Sequence, residues 1–286
     1  MNYQQLWRQL AQVYGDGEAQ ALARMVYEER FGLTLSDIYL DKDTQLSADD
    51  QTELEEIARR LLQQEPVQYV LGRATFCGRP FAVTPSVLIP RPETEELCQW
   101  MVSEVRDRLS AVSDPSILDV GTGSGCIAIT LAAELPQARV TAWDIADDAR
   151  QVARQNALRN HAQVSFQQVD ALNITPFPHL PTPASLHLIV SNPPYICNKE
   201  RAKMESNVLE HEPHMALFVP DDDPLLFYRA IAAYGQTALC AGGWLYFEIN
   251  PLYATALCDM LSVLSYHAIE VREDQYGKQR MVRACR

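Results

Sequence analysis

Residues 118–125 read Leu118-Asp119-Val120-Gly121-Thr122-Gly123-Ser124-Gly125. The apolar run SILDV (116–120) has the length of a buried strand, and IAITLAAEL (127–135) is helical in composition, so the segment is a glycine-rich strand-to-helix turn. Glycines at every second position let the backbone turn sharply and let a ligand reach main-chain atoms that side chains would shield. Gly121, Gly123 and Gly125 alternate strictly, unlike the Gly-x-Gly-x-x-Gly of a dinucleotide site. That spacing favours an adenosyl ligand with no pyrophosphate to seat at the helix N-terminus.

Outward from this turn, strands and helices alternate. RVTAWD (139–144), QVSFQQVD (163–170) and LHLIVSN (186–192) read as strands, ADDARQVARQNALRN (146–160) as a helix, and WLYFEI (244–249), YHAIEV (266–271) and RMVRAC (280–285) complete a sheet of seven. The expected class is α/β, a Rossmann-like, mostly parallel seven-stranded sheet with helices on both faces. Asp144 ends the second strand, where a carboxylate can accept from both ribose hydroxyls of an adenosyl group. Asp170 ends the third and suits the adenine amino group. A plain N-cap for Asp144 and a solvated loop acid for Asp170 are the alternatives.

Ser191-Asn192-Pro193-Pro194-Tyr195 falls at the end of the fourth strand, on the sheet edge where doubly wound folds bind ligands. The two prolines fix φ and remove two N–H donors, leaving carbonyls without a donor beside them, and Asn192 adds an amide oxygen. Neutral acceptors of this kind suit a planar nitrogen bearing two N–H bonds, a carboxamide or an exocyclic amine, on whose flat face Tyr195 can stack. A proline-stiffened turn is the bland alternative.

Residues 1–70 carry helical periodicity in Leu6, Leu10 and Val13, in Ala19, Leu22, Val26 and Phe31, and in Leu54, Ile57, Ala58, Leu61 and Leu62, the last group behind a Ser47 N-cap. They predict a small helical substrate-docking bundle, followed by a β-hairpin linker over 71–90 that turns at Cys77-Gly78-Arg79, and a catalytic domain over 91–286. A helix from Glu93 to Leu109 opens that domain, and PFPHLPTP (176–183) reads as a loop.

A chain of 286 residues, 47% hydrophobic and 21% charged, is long enough for two domains and ordinary enough in composition to exclude a disordered or fibrous protein. Its 24 Lys and Arg against 37 Asp and Glu leave −13, which disfavours a nucleic-acid partner. Seven scattered cysteines without a Cys-x-x-Cys pair point to neither disulfides nor a zinc ribbon, and with no signal peptide or apolar span the expectation is a cytoplasmic protein that does not engage membranes. No metal is expected: His211-Glu212-Pro213-His214 has no third ligand, and Asp221-Asp222-Asp223 reads as a solvated loop.

Asp-x-Gly-Thr-Gly-Ser-Gly, the strand-end Asp144 and Asn-Pro-Pro-Tyr together resemble S-adenosylmethionine-dependent methyltransferases of amino nitrogens, class I in fold. VLIPRPETEEL (87–97), Glu212-Pro213 with Ala216-Leu217, and Gly242-Gly243 leading into FEI resemble, more narrowly, the peptide chain release factor glutamine methyltransferases. The resemblance covers nearly the whole chain. It implies that Gly121, Thr122, Gly123, Ser124, Gly125 and Asp144 bind S-adenosylmethionine, that Asp170 and Ala171 lie against adenine, and that Asn192 adjoins the cofactor. It implies further that Asn192, Pro193, Pro194 and Tyr195 hold the glutamine of the Gly-Gly-Gln loop of class I release factors, with S-adenosylhomocysteine as the other product; a monomer is expected. The chain departs from the family's usual pattern at Glu248-Ile249-Asn250-Pro251 and at Phe218-Val219-Pro220 with its three aspartates, both outside the cofactor motif. Asn-Pro-Pro-Tyr is shared with DNA and RNA adenine methyltransferases, the first rival; a non-catalytic binding protein of the same fold is the second.

Overall fold

A computed structural model of the chain describes residues 1–108, 112–174 and 183–286. These residues form two compact units, Met1–Arg73 with Met204–His211, and Ala74–Lys203 with Glu212–Arg286. The proline-rich stretch at 176–182 and the Leu109 end of the expected helix lie outside the described residues.

The first unit holds helices α1 (Tyr3–Tyr14), α2 (Asp16–Phe31), α3 (Leu35–Tyr39), α4 (Ala48–Leu62) and α5 (Val67–Leu71). Each longer helix starts or stops at a local signal. Asn2 and Gln5 form a reciprocal capping box at α1, Gly32 closes α2 in the left-handed conformation, and the Ser47 hydroxyl accepts the Asp50 N–H at α4. Leu6, Leu10, Val26, Tyr27, Leu54, Ile57 and Leu61 fill the core. Val13 and Leu62, expected on the inner faces, stand in the last turns of α1 and α4 and are exposed. Short helix ends project beyond the packed stripe, so periodicity alone overcounts the core there. Helix α5 lies at the end of the stretch expected to be helical, beyond the three groups of apolar residues that marked the longer helices.

The second unit begins within β1 (Arg73–Phe76), which forms the hairpin with β2 (Arg79–Ala82), Cys77 and Gly78 both standing at positive φ, the backbone of a tight two-residue turn. Phe76 and Phe81 meet edge to face at 6.0 Å within the unit's core, which anchors the hairpin there. The central sheet uses β3 (Ser116–Val120), β4 (Arg139–Asp144), β5 (Val164–Gln168), β6 (Leu186–Ser191), β9 (Leu239–Glu248), β10 (His267–Glu273) and β11 (Gln279–Cys285). Two further short strands, β7 (Ile196–Cys197) and β8 (Phe218–Val219), pair with each other outside it.

The seven strands run in the order β10-β11-β9-β6-β3-β4-β5, parallel from β9 to β5, with β11 antiparallel to both of its neighbours. Side chains alternate between two cores. Ile117, Val140, Ala142, Leu188, Val190 and Tyr246 face α6 (Pro92–Arg108), α7 (Cys126–Glu134) and α8 (Asp147–Arg159). Leu118, Val120, Trp143, Ile189, Leu245 and Phe247 face α10 (Leu226–Ala238) and α11 (Ala254–Val263). Burying each such side chain contributes about 1.5–3 kcal/mol before the entropy of ordering it is counted. The remaining helix, α9 (Ser206–His211), belongs to the first unit. From β3 the chain winds to one side through β4 and β5, then crosses to β6 on the other, so a crevice opens between the C-terminal ends of β3 and β6.

Candidate active site

The glycine turn follows β3 into this crevice. Gly121 N and Thr122 N both donate to Trp143 O at 2.9 Å, which folds the turn over the end of β4, and Gly125 N donates to Thr122 O at 2.9 Å. The three glycines divide by surroundings. At Gly125 (φ +82°) a Cβ would stand 2.9 Å from Ile129 Cδ1 and 3.1 Å from Ala153 Cβ, so this glycine permits α7 and α8 to close together. At Gly121 (φ +74°) and Gly123 (φ +53°) a Cβ would meet no heavy atom within 4 Å. Their bare backbone is what a ligand can approach.

Asp144 Oδ2 accepts Gly123 N at 2.9 Å and Oδ1 accepts Ala146 N at 2.9 Å, so the carboxylate holds the turn and keeps a second lone pair on each oxygen. Asp170 Oδ1 accepts Leu172 N at 2.9 Å in a local Asx turn, and Ala171 is packed against the α10–α11 core. The expected S-adenosylmethionine residues thus stand along one edge of the sheet, behind β3, β4 and β5. Bare backbone with two partly free carboxylates matches an adenosyl group, which offers hydroxyl and amino donors and no pyrophosphate.

Two residues beneath this edge were not foreseen. Asn156 is buried and bridges Ser124 O (2.9 Å) to both backbone groups of Ala82 (2.7 and 2.9 Å), tying the turn to the hairpin. Asp119 accepts the Thr122 hydroxyl at 2.6 Å on Oδ2, while buried Oδ1 has no well-aligned partner among the described residues. Burial pushes its carboxyl up to about 7, against the lowering pull of the Thr122 hydroxyl and the Ala128 amide.

Across the crevice, the Ser191 hydroxyl donates to Val120 O at 2.6 Å and locks the ends of β6 and β3 together. Asn192 follows, and its Nδ2 donates to Thr94 Oγ1 at 3.2 Å. Thr94 donates in turn to Glu248 Oε2 at 2.5 Å, and the Tyr195 hydroxyl donates to Glu248 Oε1 at 3.0 Å. Glu248 and Thr94 are buried, and desolvation raises the Glu248 carboxyl above its ordinary range; burial and the facing Glu248 push the Tyr195 hydroxyl far up. The backbone beyond Pro194 is clamped from Asn250, whose Nδ2 donates to Tyr195 O and to Glu200 Oε1, both at 3.1 Å. Arg91 pairs with the buried Glu212, whose other oxygen accepts Ile89 N at 3.4 Å.

The structure therefore brings Asn192, Pro193 and Tyr195 to the crevice beside the glycine turn. Tyr195 is pinned by its hydroxyl rather than free to swing. Thr94, Arg91, Glu212 and Asn250 gain their roles from partners more than 50 residues away in sequence. Glu248, like Asp119 in SILDV, carried a local sign, an acid inside an apolar strand, here WLYFEI. Among the described residues no three His, Cys, Asp or Glu side chains gather to hold a metal ion, and no helix is long and apolar enough to cross a membrane. A hollow of about 760 Å³ lined by Val140, Leu158 and Phe166 lies at the N-terminal ends of β4 and β5, away from all of these groups.

Residues 99–215 match the methyltransferase small domain family and residues 3–72 the PrmC N-terminal domain family. A release factor glutamine methyltransferase of Bacteroides thetaiotaomicron is 46% identical over 97% of this chain and 96% of its own length. That of Flavobacterium psychrophilum is 38% identical over 99% and 97%. Among solved structures, a methyltransferase from Pyrococcus furiosus superposes with a TM-score of 0.50 at 14% identity over 84% of this chain and 98% of that one. The hMettl16 catalytic domain gives 0.53 at 14% identity over 94% and 81%. At such identities the likeness carries the fold alone, the seven-stranded class I methyltransferase sheet.

Proposed function

The chain belongs to the release factor glutamine methyltransferases, S-adenosylmethionine-dependent enzymes, and from that premise we propose that it methylates the side-chain nitrogen (N5) of the glutamine in the Gly-Gly-Gln motif of class I release factors. The observation that carries the reading is the sense of the Asn192 amide. With Nδ2 turned inward to Thr94, Asn192 Oδ1 is the end left to accept an N–H from a substrate. Pro193, with no N–H of its own, provides the second acceptor through its carbonyl.

S-adenosylmethionine supplies an electrophilic methyl on a sulfonium, and S-adenosylhomocysteine is the co-product. Gly121 to Gly125 and Asp144 hold its adenosyl part, and Asp170 and Ala171 flank adenine. A carboxamide nitrogen is a weak nucleophile because its lone pair is delocalised. Asn192 Oδ1 and Pro193 O bind its two hydrogens, aim the nitrogen and stabilise the positive charge it gathers as the N–C bond forms and the C–S bond breaks. Glu248 is buried behind Thr94 and Tyr195, with Thr94 between it and Asn192, so it is poorly placed as a base, and the surplus proton leaves to water after transfer. Thr94, Glu248 and Tyr195 back the Asn192 amide from its Nδ2 side.

The test is incubation with methyl-labelled S-adenosylmethionine and either a class I release factor or duplex DNA, with the label located by mass spectrometry. Label on the Gly-Gly-Gln glutamine is expected. Label in DNA and none in the release factor would replace this reading with an adenine methyltransferase.

A further inference from the structure

The hydrogen bonds behind Asn192 have a direction, and the direction matters for what the site selects. An ionised carboxylate only accepts, so Glu248 Oε2 requires the Thr94 proton. With its proton committed, Thr94 Oγ1 can only accept at its other side, and the Asn192 group facing it at 3.2 Å must be the NH₂. Turning the Asn192 amide over would set two acceptors against each other, or draw the Thr94 proton away and leave a buried carboxylate oxygen without its donor. Tyr195, donating to the other oxygen, completes the same carboxylate and leaves it no second arrangement.

We infer that Thr94 and Glu248 are positioning residues that lock the Asn192 amide with its oxygen toward the substrate, making the site selective for a nitrogen that presents N–H donors. The inference rests on the proposed role of Asn192 as acceptor for the glutamine carboxamide. Ionised Glu248 maintains the lock. Once protonated, Glu248 becomes a donor, can donate to Thr94 Oγ1, and frees the Thr94 proton to bond the Asn192 oxygen, which reverses the sense. The groups facing Glu248 are the Thr94 and Tyr195 hydroxyls, the Tyr228 hydroxyl on its main-chain carbonyl at 3.1 Å, and the charges of Glu93 and Arg280. Neither tyrosine titrates in the acid range.

The experiment compares wild type, N192A, T94V, T94S and E248Q for kcat and KM with a release factor, for S-adenosylmethionine Kd by calorimetry, and for kcat against pH. Valine keeps the shape of Thr94 and removes the relay; serine keeps the relay and removes a methyl. T94V is expected to lose at least about tenfold in kcat, the worth of one well-placed hydrogen bond, with cofactor Kd within about twofold of wild type. T94S recovers most of that loss. Wild-type kcat falls as pH drops through the Glu248 pKa, and E248Q loses that acid limb. Wild-type turnover by N192A would overturn the underlying role of Asn192. Wild-type turnover by T94V while N192A is inactive, or an acid limb that persists in E248Q, would overturn the lock alone.

Discussion

Replacing Gly123 and Gly125 separately with alanine should split folding from cofactor binding, although both glycines sit in one turn at positive φ. At Gly125 (φ +82°) the added methyl carbon would lie 2.9 Å from Ile129 Cδ1, 3.1 Å from Ala153 Cβ and 3.3 Å from Ala153 Cα. The isoleucine tip can rotate, but the α8 backbone cannot retreat without opening the packing around Ala153. Left-handed backbone costs about 1–2 kcal/mol for an L-residue and overpacking of a filled core about 1–3, so G125A should lose roughly 2–5 kcal/mol. For a domain of this size that lowers Tm by about 4–20 °C. G123A (φ +53°) meets nothing within 4 Å and should lose only the backbone part, about 1–2 kcal/mol. Its methyl group, however, enters the space where the proposed ligand approaches Gly123, so S-adenosylmethionine affinity should fall at least about tenfold, or 1.4 kcal/mol. Thermal unfolding and calorimetric titration on the same preparations supply both axes. A G123A variant that binds S-adenosylmethionine like wild type, or one that loses as much stability as G125A, would refute this division of the turn.

Three further outcomes follow from buried groups. Asp119 titrates near 7 in the folded chain and near 3.9 unfolded, so between those values the folded state holds more protons and stability falls as pH rises. The loss levels off above pH 7 at no more than about 4 kcal/mol, and urea midpoints at pH 5 and pH 8 should differ less in D119N than in wild type. R91A leaves the Glu212 carboxylate buried and unpaired, which should cost about 3 kcal/mol in urea unfolding, with E212Q in the same background recovering part of it. N250A releases Tyr195 O and Glu200, and should cost about 1–2 kcal/mol of stability together with a severalfold loss of kcat, measured by thermal unfolding and initial rates.

Much of this molecule is legible along the chain because its signals are local. The alternating strands and helices follow from residue periodicity, and Leu118 to Gly125 identifies the turn because only glycine accepts its φ values without strain. Asn192 and Tyr195 stand out because two prolines dictate the backbone between them. The family resemblance of VLIPRPETEEL pointed to a functional stretch without saying which atoms act.

What the chain order could not reveal is every contact whose energy depends on bringing distant segments together. Thr94 lies 98 residues from Asn192 and 154 from Glu248, and nothing in its neighbourhood distinguishes a helix-start threonine from one link in a directional relay. Asn250 looks like a local departure until its amide is found on Tyr195 O, and Asp119, although it stands in the apolar run SILDV, shows an oxygen left without a partner only once the cores close over it. The amino-acid sequence by itself determined the two-sided sheet, the glycine turn and the acceptors at the end of the fourth parallel strand, because period, φ and proline geometry are properties of neighbouring residues. Tertiary structure alone decided which end of the Asn192 amide faces outward, because hydrogen-bond direction is set only when a buried carboxylate is desolvated and must claim its donors.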